Sequence, residues 1–140
     1  MIPYLVGFGL AGGVALSARA AGLDRDRAFY PTVLIVVASY YVLFAIMSGS
    51  TSVVVAEIAA MLVFASAALL GFRFNPSLIA AALVAHGIFD ALHGHFIVDA
   101  GVPAWWPAFC GSYDVMAGLC LAYIQSRASE LPQIEALVRR

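Results

Sequence analysis

Five stretches of apolar residues alternate with short polar breaks along the chain. The first runs from about Pro3 to Ala21, the second from Phe29 to Met47 and the third from Ser52 to Phe72. The fourth covers 77–98 and the fifth runs from about Ala108 to Ser126. A helix needs about 20 predominantly apolar residues to cross the hydrocarbon core of a bilayer, so each stretch predicts one transmembrane helix. Pro31 falls in the first turn of the second segment and Pro76 opens the fourth, positions where a missing N–H costs nothing. The expected architecture is all-α: a polytopic membrane protein, a bundle of about five transmembrane helices over residues 1–126, followed by a polar tail at 127–140.

The first segment is rich in glycine. Its GFGLAG run imitates a dinucleotide-binding fingerprint, but no strand precedes it and no βαβ unit follows. Gly9 and Gly13, continued by Ser17, instead make a small-xxx-small face along which another helix can approach closely. Such a face also suits assembly into a homo-oligomer. In the fourth loop Trp105 and Trp106 stand between Pro103 and Pro107, the composition of an interfacial anchor.

Composition turns the helical pattern into a membrane assignment. The 140 residues are 64% hydrophobic and 11% charged, with a mean hydropathy of +0.97, whereas a soluble domain carries roughly 25% charged residues. A net charge of −1 with no basic tract argues against a nucleic-acid partner. Lysine is absent, which excludes a retinal Schiff base. Cys110 and Cys120, ten helical positions apart, are separated by about 15 Å, beyond disulfide reach.

The arginines give a direction. Arg19, Arg25, Arg27, Arg73, Arg127, Arg139 and Arg140 all fall in the first loop, the third loop or the tail. The positive-inside rule then predicts an extracytoplasmic N-terminus and a cytoplasmic C-terminus, in what we read as a bacterial inner membrane.

The chemistry concentrates in the fourth segment, which carries His86, Asp90, His93 and His95. At about 100° per residue, positions 86, 90 and 93 lie within roughly 60° of one another. Ionisable groups inside a membrane are costly and normally turn inward towards a partner. The predicted topology supplies partners in the same layer of the outer half, Glu57 on segment three and Asp114 on segment five; Cys110, one turn above Asp114, and Tyr40 and Tyr41 on segment two reach that layer too and read as packing residues. His95 points to the opposite side of its helix, and Asp99 falls in the outer loop.

Imidazole and carboxylate at helical spacings are how bundles hold metals in their cores. The set predicts a divalent metal on His86, Asp90, His93 and Asp114, zinc first with iron or manganese as alternatives. Glu57, with Asp114, is the candidate for general-base work. A site opening towards the outer leaflet suits a lipid-like or small amphiphilic substrate drawn from the surrounding membrane lipid. That reading is a metal-dependent hydrolase. Its rivals are a proton- or cation-coupled small transporter or channel subunit, an accessory subunit of a membrane complex, and a purely architectural network that fixes helix register.

The pattern His86-x3-Asp90-x2-His93, followed by Val102-Pro103, Trp105-Trp106-Pro107, Cys110 and Asp114, with Glu57 one span earlier, is similar to a family of small polytopic bacterial membrane proteins of no established activity. The likeness covers roughly segments three to five. In its logic the site also resembles the intramembrane hydrolases that include alkaline ceramidases, and that resemblance implies zinc held by histidines and an aspartate. This chain has about five spans rather than seven and no paired histidines on its final helix.

Overall fold

The computed structural model describes the backbone of residues 1–138 and the side chains of residues 1–25 and 27–128. Five helices fill it: α1 (Ile2–Ala21), α2 (Phe29–Ser48), α3 (Thr51–Arg73), α4 (Pro76–Phe96) and α5 (Trp106–Val138). A short 3-10 turn, Leu23–Asp26, joins α1 to α2. All five are long and apolar enough to cross a membrane, α5 by its portion Trp106–Ala128. The chain is therefore an all-helical integral membrane protein. The backbone of α5 continues helically through the first part of the expected tail, whose residues 139–140 lie outside the described residues.

Local chemistry sets the helix ends. Gly22 and Gly49 take φ of 75° and 76° at the C-termini of α1 and α2, a left-handed conformation that a side chain would resist. Asn75 caps α4 by accepting the Ser77 N–H at 3.0 Å, with Pro76 in the first helical position. Helix α5 begins at Trp106, two residues before the hydropathy suggests, because Pro107 fits a first turn as readily as Pro76 does. The expected anchor pair is thereby divided. Trp105 is exposed, whereas Trp106 turns in against Tyr40 and Phe44, with ring centroids at 5.0 and 4.9 Å.

The helices pack in the order α1, α5, α4, α3, α2, with α2 leaning back over α4 and α5. The α4–α5 seam is the closest. A Cβ added to Gly87 would stand 2.7 Å from the Gly111 carbonyl oxygen, and one on Gly118 would stand 2.8 Å from that of Ala80. Only backbone fits there, the small-residue packing that membranes favour where lipid gives helices no hydrophobic reason to associate.

Helix α1 uses the same device on a different face from the one expected. Gly7, Ala11 and Ala18 are buried, and a Cβ on Gly7 would collide with the Phe109 carbonyl of α5. Gly9 and Gly13 face open space. Four glycines within seven positions offer two overlapping small faces, and the Phe109 carbonyl and Ser112 hydroxyl of α5 pack against the one containing Gly7.

Among the described residues α1 and α2 meet only through the 3-10 turn. The gap between them, backed by α5, is a cavity of about 710 Å³.

Candidate metal centre between α4 and α5

Glu57, His86, Asp90, His93 and Asp114 are each at most 3% exposed. They come from α3, α4 and α5, and Tyr41 of α2, 1% exposed, lies among them. Counting at 1.5 Å per residue from the helix ends nearest the 97–105 loop, Tyr41, Glu57, Asp90 and Asp114 lie roughly 9–12 Å in. The described arginines, Arg19, Arg25, Arg27, Arg73 and Arg127, are all towards the opposite end of the bundle.

The layer divides into two histidine–carboxylate pairs. His86 Nδ1 is 2.6 Å from Asp114 Oδ2 and 3.7 Å from Asp90 Oδ2. His93 Nε2 is 2.6 Å from Glu57 Oε1. With the carboxylates ionised they can only accept, so each imidazole donates. Tyr41 links the pairs: its hydroxyl donates to Asp90 Oδ1 at 2.7 Å, and its ring stacks on His93 at 4.1 Å with planes 22° apart. Phe64 and Phe89 close the sides, edge-on to His86 at 4.6 Å and to His93 at 5.5 Å.

The first pair widens into a donor group. Cys110 Sγ is 3.7 Å from Asp114 Oδ2, one turn earlier on α5. His86, Asp90, Cys110 and Asp114 each offer a ligand atom, and these atoms lie within 4.8 Å of one another. Asp90 Oδ2 and Asp114 Oδ1 are buried with no hydrogen-bond partner. Two carboxylates facing one imidazole, with no arginine in the layer, leave negative charge uncompensated in a medium where that is expensive.

A divalent cation fits what is left over. Nitrogen, thiolate and carboxylate oxygen are the donors zinc takes, and at bonds of about 2.0–2.3 Å tetrahedral donors stand roughly 3.3–3.8 Å apart. The four ligand atoms lie within 4.8 Å of one another, and side-chain rotation would have to bring them to that spacing. The His86–Asp114 contact would open when the proton between them leaves. Iron and manganese also accept imidazole and carboxylate donors.

Of the residues singled out from sequence, His86, Asp90 and Asp114 are together in this group. His93 is outside it, engaged by Glu57. The reason is axial: His93 shares the face of His86 but stands two turns, about 10 Å, further along α4. His95 is exposed. Asp99 shapes the α4–α5 loop by accepting the Gly101 N–H at 2.8 Å. Tyr40 is 38% exposed and belongs to the cavity wall. Two participants read naturally as packing residues in the sequence, Tyr41 and Cys110. For Cys110 the signal was its i−4 spacing from Asp114, which places both on one face of α5.

Comparison with protein-family models, with curated proteins and with solved structures gave no match.

Proposed function

We propose that this protein is an intramembrane metal-dependent hydrolase of a lipid-like substrate, with its metal on His86, Asp90, Cys110 and Asp114. The observation that carries the reading is the buried donor group itself: four ligand atoms within 4.8 Å, two of its carboxylate oxygens lacking any partner. A divalent ion bound there supplies Lewis-acid polarisation of a carbonyl.

The chain's own groups do the rest. Tyr41 holds Asp90 in place from α2. Glu57 orients His93 through Oε1, and its Oε2 has no partner, leaving a carboxylate lone pair to take a proton as general base. Phe64 and Phe89 hold the two imidazoles in place by edge-on ring contacts. The arginine distribution supports a cytoplasmic C-terminus and a centre in the extracytoplasmic half of a bacterial inner membrane, where substrate arrives from the outer leaflet. The close-packed polar layer, confined to one end of the bundle, is the frame for this chemistry.

One observation favours a second reading, proton-coupled transport. Tyr41 touches both sides of the layer, by a hydrogen bond to Asp90 and by stacking on His93, so that ionisable groups of α3, α4 and α5 lie in one buried cluster with it.

Metal analysis of the purified protein separates the two. Stoichiometric metal, lost in His86→Ala and Asp114→Ala but kept in His93→Gln, together with metal-dependent hydrolysis of ester or amide lipids, supports the hydrolase. No bound metal, with proton uptake into vesicles that stops in Glu57→Gln, supports the transporter.

A further inference from the structure

The cavity between α1, α2 and α5 is walled by Leu10, Val36 and Trp105 at its exposed rim and by Val37, Phe109 and Cys110 inside. Its volume of about 710 Å³ falls in the roughly 300–1,000 Å³ range of sites that enclose one small molecule. Thr32, Tyr40 and Tyr113 place hydroxyls among the apolar side chains. Of the four donor residues only Cys110 lines this cavity, and its thiol is 3.7 Å from Asp114 Oδ2. A groove of similar size between α4 and α5 is lined by none of them.

We propose that this cavity takes the apolar tail of a single-chain amphiphile with an uncharged head, an ester, amide or alcohol, and that the head lies at Cys110 beside Asp114. This rests on the hydrolase reading for what happens at the head, but the binding itself does not need it. The tail argument is fit. A lipid tail in a membrane is already in hydrocarbon, so the cavity competes for it by contact with its apolar lining rather than by transfer from water.

The head argument is charge. No lining residue carries a charge, Asp114 stands behind the Cys110 thiol, the chain has no lysine, and every described arginine is towards the far end of the bundle. An anionic phosphate or carboxylate would meet like charge with no cationic side chain to offset it. An uncharged head can hydrogen-bond to the Cys110 sulfur at no such cost.

Photo-crosslinking of the full chain in lipid nanodiscs tests this. The probe is monooleoylglycerol with a diazirine in its acyl chain, compared with equally labelled oleate and dioleoylphosphatidylglycerol. The expected result is adducts on α1, α2 and α5 around Val36 and Phe109, strongest for the monoacylglycerol. Val36→Trp, at the rim, should lower them roughly tenfold by filling the entrance, while Val55→Trp on the exposed face of α3 should not. Labelling spread evenly over all five helices, indifference to Val36→Trp, or stronger adducts from the anionic probes overturns the proposal. Cavity adducts on a chain that binds no metal and hydrolyses nothing would leave this inference standing and remove the hydrolase. Bound metal without cavity adducts would do the reverse.

Discussion

Tyr41 donates its phenolic hydrogen to Asp90 Oδ1 across 2.7 Å, and this single bond fastens α2 to the donor group of α4 and α5. Tyr41→Phe keeps the ring on His93 and removes only the donor, stranding a buried carboxylate oxygen. The expected loss is about 1–3 kcal/mol of stability, with metal affinity lowered about 10–100-fold as for other groups that orient a ligand. Thermal unfolding in detergent and competitive chelation measure the two effects separately.

The two histidines should behave differently towards metal. His86→Ala and Cys110→Ala remove donors and should abolish or weaken stoichiometric binding, whereas His93→Gln and Glu57→Gln should leave it close to wild type. Elemental analysis of the four variants decides this. Equal loss in all four would place His93 among the ligands and merge the two pairs into one site.

Glu57 and His93 should be strongly coupled. Each is buried and each satisfies the other at 2.6 Å, so removing either strands its partner. The single changes Glu57→Gln and His93→Ala should each cost about 3–5 kcal/mol, in the manner of a broken buried pair. The double variant should cost much less than their sum, with an interaction of about 1–3 kcal/mol in a double-mutant cycle of unfolding free energies.

Glycines on α4 make a matched contrast. Gly87→Ala drives a methyl into the Gly111 carbonyl and Val115 Cγ2, at 2.7 and 2.8 Å from the added carbon, and should destabilise by about 1–3 kcal/mol while loosening metal retention. Gly94→Ala meets nothing within 4 Å and should be neutral or stabilise by up to about 1 kcal/mol through helix propensity. Unfolding midpoints of the two proteins, measured side by side, test whether the seam or merely the glycine content matters.

The arginine asymmetry predicts that reporters joined after Arg140 are active only in the cytoplasm, and that an N-terminal tag is reached by proteases added outside the cell. The opposite pattern would invert the bundle and turn the polar layer towards the cytoplasm.

The spans were plain in the sequence because a bilayer leaves little choice: twenty apolar residues must close their own hydrogen bonds, and helices do so. The buried acids and imidazoles stood out for a similar reason. Glu57, His86, Asp90 and Asp114 are conspicuous in segments otherwise made almost wholly of apolar and small residues. Partner choice was not legible. Whether His93 turns to Glu57 or joins Asp114 depends on the rotation of α3 and α5 about their axes, and that is set by side-chain volumes at contacts hydropathy does not encode. Tyr41 and Cys110 were placed in the layer but read as packing residues, because a phenol and a thiol are at home in apolar surroundings and carry no alarm of charge. Gly7 and Gly9 are equivalent in composition, and only the shape of α5 distinguishes them.

The contact of Gly87 with Gly111 brings two peptide backbones together three residues from both Asp90 and Asp114. The bite of the two carboxylates is thus gauged by main-chain atoms, which cannot rotate away as a leucine or valine would. Heat or a change of lipid that softens side-chain packing should slacken the outer helices well before it alters the aperture between these acids.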